Sequence, residues 1–168
     1  MMERVLSWAL GLTLAVLLLI VAFLQMSGPT PNPIFGMIAL RSHIALFEPW
    51  GRYLVVLLEV VALAGVVYPP TRSRGALLAL IVALGAIVLH LSPWLGVKLE
   101  QGPAVSQALA QGRSAAEIAA MGLPTDKGGM FLLALAIAVM AVGTMFVEKA
   151  KIRAMIMKKA KKPIGAFA

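Results

Sequence analysis

Two ionisable side chains stand inside otherwise unbroken apolar runs: Glu59 in YLVVLLEVVALAGVVY (residues 53–68) and His90 in GALLALIVALGAIVLHLSPWL (residues 75–95). Such a group at membrane depth costs about a few kcal/mol unless it is paired or wetted, so it marks a functional site by default. A carboxyl and an imidazole in a low-dielectric setting can hold a polar ligand group or pass a proton between them. Arg41 and His43, in the loop before residue 50, can reach the same level. Glu59, His90, Arg41 and His43 together form the candidate ligand or proton-relay pocket. The competing structural reading is that Glu59 hydrogen-bonds a neighbouring helix and His90 snorkels to the interface.

No other constellation carries chemistry. The chain has no cysteine, which removes disulfides, thiol catalysis and iron–sulfur ligation. There is no HExxH, no Gly-rich phosphate loop, no ordered Ser/His/Asp set and no acidic cluster for a metal. No catalytic residue and no metal site is expected, and stand-alone catalysis is not the leading reading. Gly11 and Ala15, then Ala79, Ala83 and Ala86, then Ala134, Ala138 and Ala141 form small-residue stripes that let helices pack closely.

The elements that position these residues follow from composition. With 61% hydrophobic and 13% charged residues and a mean hydropathy of +0.93, the chain cannot present a water-compatible surface. About 20 apolar residues in a helix cross about 30 Å of hydrocarbon. Four stretches meet or approach that length: residues 5–26, 52–68, 75–95 and 130–147. The expectation is an all-α, four-helix membrane bundle over residues 1–147, followed by a basic tail at 148–168. The first run is longer than a signal-peptide core and lacks an Ala-x-Ala site, so it is read as a retained span.

Of the 15 Lys and Arg residues, ten fall with the termini and the connection near residue 72, and five fall with the two longer loops. The positive-inside rule then puts both termini in the cytoplasm. The tail residues Lys149, Lys151, Arg153, Lys158, Lys159, Lys161 and Lys162 follow directly on a span. Anionic lipid head groups are therefore their expected partner, rather than nucleic acid. Pro103 and Gly112 bracket one short outer helix, and Ser114 to Glu117 is a capping-box pattern opening a second. Glu59 lies about nine residues, or about 13 Å, from Trp50, and His90 about 6 Å below Trp94, so both fall in the outer half.

The stretch from Phe47 to Leu91 resembles the DoxX-like family of small four-span bacterial membrane proteins. The residues that carry the resemblance are Glu59 in a second span, Gly65, the turn with Pro69-Pro70 and Arg72, and His90 closing an Ala-rich third span. The resemblance implies a bundle in a bacterial inner membrane, associated with membrane redox chemistry. Three functions are open at this point. One is an accessory or subunit of a quinone-linked redox system with a polar pocket near the outer face. A second is a structural or assembly subunit that docks on other membrane proteins. The third is a b-type haem anchor ligated by His43 and His90, which needs His43 to dip several ångströms into the bilayer.

Overall fold

A computed structural model describes residues 2–160, with side chains as far as Lys149. Helix α1, Met2–Ser27, is an uninterrupted apolar run whose buried residues Ser7, Gly11, Leu14, Leu18, Val21, Ala22 and Gln25 recur at helical spacing along one stripe. It ends where Gly28 and three prolines remove the donors a helix needs. Asn32 then opens α2, Pro33–Ser42, its side chain accepting from the Ile34 and Phe35 amides at 3.0 and 3.3 Å. A 3-10 turn at Ala45–Phe47 leads into α3, Trp50–Val67.

A second 3-10 turn, Pro69–Thr71, reverses the chain into α4, Arg72–Leu91. This helix begins a turn earlier than residue 75, and it stops at Leu91 rather than 95. Pro93 forces Ser92 into extended backbone, with ψ 160. Two short helices follow, α5 at Pro103–Ala110 and α6 at Ala115–Ala120. In α6 the capping box forms as its sequence dictates, Ser114 Oγ accepting from the Glu117 amide and the Glu117 carboxylate accepting from the Ser114 amide. The last helix, α7, runs from Gly129 to Ala160 and passes residue 147 without a break.

Helix α1 packs on α3 and α7, and α4 packs on the same two, so the four long helices form a ring in the order α1, α3, α4, α7. The fold is all-α, with four helices long and apolar enough to cross a membrane, and the protein is a multi-pass membrane protein. Only 22–39% of each apolar segment is buried, which leaves a mostly apolar outer surface such as Leu19, Phe23, Leu57, Val88, Val139 and Phe146. The core between the helices is built from small and branched residues: Leu14, Leu18, Ala62, Val66, Ala76, Ala79, Ala83, Ile137 and Ala141.

Helices α2, α5 and α6 lie together at one end, which we call the lid end. Their own core is Met37, Val105, Ala108 and Ile118. Ile38, Leu95 and Leu99 join the lid to the bundle, packed against Phe47, Leu89 and Met130. The start of α1 at Ser7, the part of α7 at Glu148 and the tight α3–α4 connection at Arg72 lie together at the opposite end, which we call the terminal end.

Candidate functional site

The crossing of α3 and α4 decides where space is left in the bundle. A Cβ on Gly75 would stand 2.4 Å from the Val66 amide nitrogen, and one on Gly65 would stand 2.9 Å from Gly75 Cα. Two glycines thus let the backbones touch at the terminal end, and the helices diverge from there toward the lid. In the wedge lies a cavity of about 610 Å³ lined by all four long helices and by α2. Its wall is apolar except for three residues: Gln25 of α1, Glu59 of α3 and His90 of α4. Ile81, Leu84 and Val88 also line it and are themselves exposed, so the cavity opens sideways onto the lipid-facing surface of α4.

Glu59 is 3% exposed. Its Oε1 accepts a hydrogen bond from Gln25 Nε2 at 3.0 Å. Glu59 Oε2 and Gln25 Oε1 are buried and have no hydrogen-bond partner among the described residues. A buried unpartnered oxygen in an apolar wall costs about 1–3 kcal/mol, so this end of the cavity is primed for a donor from outside the chain.

His90 holds the lid-side end of the same cavity. Its Nδ1 lies 2.9 Å from the Gly96 carbonyl oxygen. A carbonyl can only accept, so Nδ1 carries a proton, and in the neutral ring Nε2 is left as an acceptor. Phe131 packs edge-on against the imidazole at 5.7 Å between centroids, which fixes the ring plane.

The other two sequence candidates are elsewhere. Arg41 ties α2 to the loop beyond α4, with Nη1 donating to the Leu95 carbonyl at 3.2 Å and Nη2 3.9 Å from Glu100. His43 is exposed and ends α2 in the left-handed conformation, φ 58, a backbone role that turns its side chain toward the surface. The structure therefore brings Glu59 and His90 to one cavity and leaves Arg41 and His43 out of it. A haem held between His43 and His90 does not fit that arrangement.

Just beneath the lid, Asp126 organises the entry to α7. Its carboxylate accepts from the amides of Leu99, Gly128 and Met130, each at 2.9 Å. Burial alone would raise its pKa, but these three amides, with a smaller contribution from His90, outweigh burial and hold it below the ordinary value. Exposed Glu117 is likewise held low, first by the Ser114 hydroxyl and then by the Ser114 amide.

Two buried arginines were counted from sequence as loop charges. At the terminal end Arg72 is 1% exposed: Nε donates to the Val66 carbonyl at 2.9 Å, Nη1 donates to Ser7 Oγ at 2.6 Å, and Nη1 is 3.6 Å from Glu148 Oε1. Ser7 Oγ also donates to Glu148, and the guanidinium stacks 4.3 Å from the Trp8 ring centre. Gly11 makes the space, since a Cβ there would stand 3.0 Å from Arg72 Nε. At the lid end Arg52 is 3% exposed, with Nη2 3.4 Å from Glu48. The sequence signal for the first cluster is weak: one Ser in an apolar run, and a Glu at the head of a basic tail.

Of the basic tail, Lys149 is exposed. The side chains of Lys151, Arg153, Lys158 and Lys159, and all of Lys161 and Lys162, lie outside the described residues. Among the described residues no three His, Asp or Glu side chains come together in a way that could hold a metal ion. Comparison with family models, curated proteins and solved structures found no match to this chain.

Proposed function

We propose that the cavity binds a membrane-dissolved molecule with a flat, hydrogen-bonding head, of the quinone class, and that the protein serves as an accessory or subunit of a quinone-linked redox system. The observation that carries this reading is that Glu59 and His90 line one cavity that opens onto lipid. About 610 Å³ is within the range of about 300–1,000 Å³ typical of small-molecule sites. An isoprenoid-type tail would leave through the opening beside Ile81, Leu84 and Val88, where it meets only apolar side chains. The head would lie between a carboxyl oxygen that lacks a partner and an imidazole whose plane is fixed. The two hydroxyls of the reduced, quinol form, on opposite edges of its ring, would donate to Glu59 Oε2 and His90 Nε2, both acceptors. Electrons would come from a partner subunit or a diffusible reductant.

The DoxX-like resemblance of residues 47–91 supports the same reading and suggests a bacterial inner membrane. The bias of Lys and Arg toward the terminal end supports a cytoplasmic position for both termini and an outer position for the lid.

The test is extraction. Protein purified in mild detergent should carry quinone, and a Glu59→Gln, His90→Ala double variant of unchanged thermal stability should retain about tenfold less, the loss of about 1.4 kcal/mol of binding. Wild-type protein free of quinone, co-purifying with larger membrane subunits, would overturn the proposal in favour of a structural role.

A further inference from the structure

Beside the lipid-facing cavity lies a second, smaller one of about 250 Å³ under the lid. Its lining is mixed, with the apolar side chains of Leu24, Pro33, Ile34 and Met130 beside the polar ones of Asn32 and Gln101. Pro29 and Gln101 are exposed, so this vestibule reaches the surface at the lid end. The vestibule and the cavity have Gln25, Ile34 and Met130 in common, and of these only Gln25 is polar.

Gln25 therefore stands on the boundary between the two cavities, as the one polar residue that lines both. Its Nε2 is committed to Glu59 at 3.0 Å, while its Oε1 is buried with no partner among the described residues. Asn32 Nδ2 approaches the Gln25 backbone carbonyl at 3.4 Å and continues the polar lining outward. On the terminal side of Glu59 the described residues pack closely. Leu14, Ala62, Val66 and Ala76 are each 0% exposed, and the Gly65–Gly75 contact closes the helices together.

We propose that the vestibule is a water route by which Glu59 exchanges protons with the aqueous phase on the lid side alone, with Gln25 as its gatepost. A proton would pass from a hydronium in the vestibule to Glu59 Oε2, leaving water behind, while the Gln25 amide keeps its own hydrogens and holds Oε1. Gln25 Oε1 would accept from the water that delivers it. The charged and titratable groups nearest the route are His90 on α4, Arg52 two turns earlier on α3, and Glu48, which pairs with Arg52 at 3.4 Å and accepts from the Asn32 amide at 3.1 Å. The parts of α1, α2 and α7 that line the cavity contribute none. The inference deepens the proposed quinone site by assigning the side of the membrane with which its carboxyl is in proton equilibrium. It rests on that reading only for the ligand.

The absence of cysteine makes the test direct. Single-cysteine variants in lipid nanodiscs are treated with a charged, membrane-impermeant methanethiosulfonate. Pro29→Cys and Gln25→Cys should both react, faster than Leu18→Cys by about tenfold or more, because a thiolate must meet water to react. Gln25→Cys no faster than Leu18→Cys would overturn the route. A second readout needs no cysteine: the infrared carboxyl band of Glu59 should exchange to deuterium about tenfold more slowly in Gln25→Leu than in wild type, and an unchanged rate would also overturn it. Both experiments are read without quinone, so their failure is distinct from failure of the ligand assignment.

Discussion

Arg72 and Arg74 are two residues apart at the start of α4, yet their surroundings are opposite. Arg72 is 1% exposed and bonded to Val66, Ser7 and Glu148, whereas Arg74 is exposed. Removing one partner of a buried ion pair costs about 3–5 kcal/mol, because the other charge stays buried without it. Arg72→Ala should therefore lower the thermal midpoint in detergent sharply and Arg74→Ala should leave it unchanged. Equal effects would mean that the cluster is not what joins α1, α4 and α7. Asp126 supports a pH prediction at the same scale. Its folded pKa lies below the ordinary 3.8, so its contribution is complete above that value and is lost as pH falls through the lower folded value. Amide exchange at Leu99 and Met130 should accelerate below about pH 3.8 in wild type, and be fast at neutral pH in Asp126→Asn. Glu59 was legible because it is alone in an apolar run. Gln25 and Arg72 were not, because polar residues near span ends ordinarily snorkel into the interface and look the same in sequence.

Among the elements, the α3–α4 pair does most to make the site. Its two contact glycines, Gly65 of α3 and Gly75 of α4, behave differently from Gly85 further along α4. A Cβ on Gly75 would meet backbone at 2.4 Å, whereas one on Gly85 would meet nothing within 4 Å. Gly75→Ala must push the helices apart and should destabilise the fold by about 1–3 kcal/mol, the usual range for overpacking. Gly85→Ala should be neutral or stabilising by up to about 1 kcal/mol, as expected for Gly to Ala within a helix. If thermal melts rank the two the other way, the close crossing is not the origin of the wedge. Gly85→Phe gives the functional counterpart. Its ring would fill the cavity wall, and the purified variant should lose quinone while keeping its melting temperature. The four spans and the lid were legible because length, proline, glycine and the Ser114 capping box act locally. The cavity was not, since it depends on which glycine of one helix meets which glycine of another.

For the whole molecule, the open question of physics is which way the bundle faces, and here burial refines the charge count. Arg52 and Arg72 are inside the folded protein beside Glu48 and Glu148, so in the finished structure neither acts as a surface charge. Setting both aside leaves nine basic residues at the terminal end, Arg4, Arg74 and the seven from Lys149 to Lys162, against Arg41, Lys98, Arg113 and Lys127 at the lid. The bias survives the correction, and the lid charges are further offset by Glu100, Glu117 and Asp126. On the proposed orientation, a terminal end held at an anionic cytoplasmic leaflet, at about 1 kcal/mol per basic residue, would leave the lid and its vestibule facing outward. A C-terminal fluorescent-protein fusion should then be bright in cells, and an alkaline phosphatase fused at the same point should be inactive. The reverse pattern would turn the vestibule toward the cytoplasm. The cavity would keep its lipid opening in either case, because that opening lies on the flank of α4 and not at either end, so ligand binding and the side of proton exchange are separable properties of this fold.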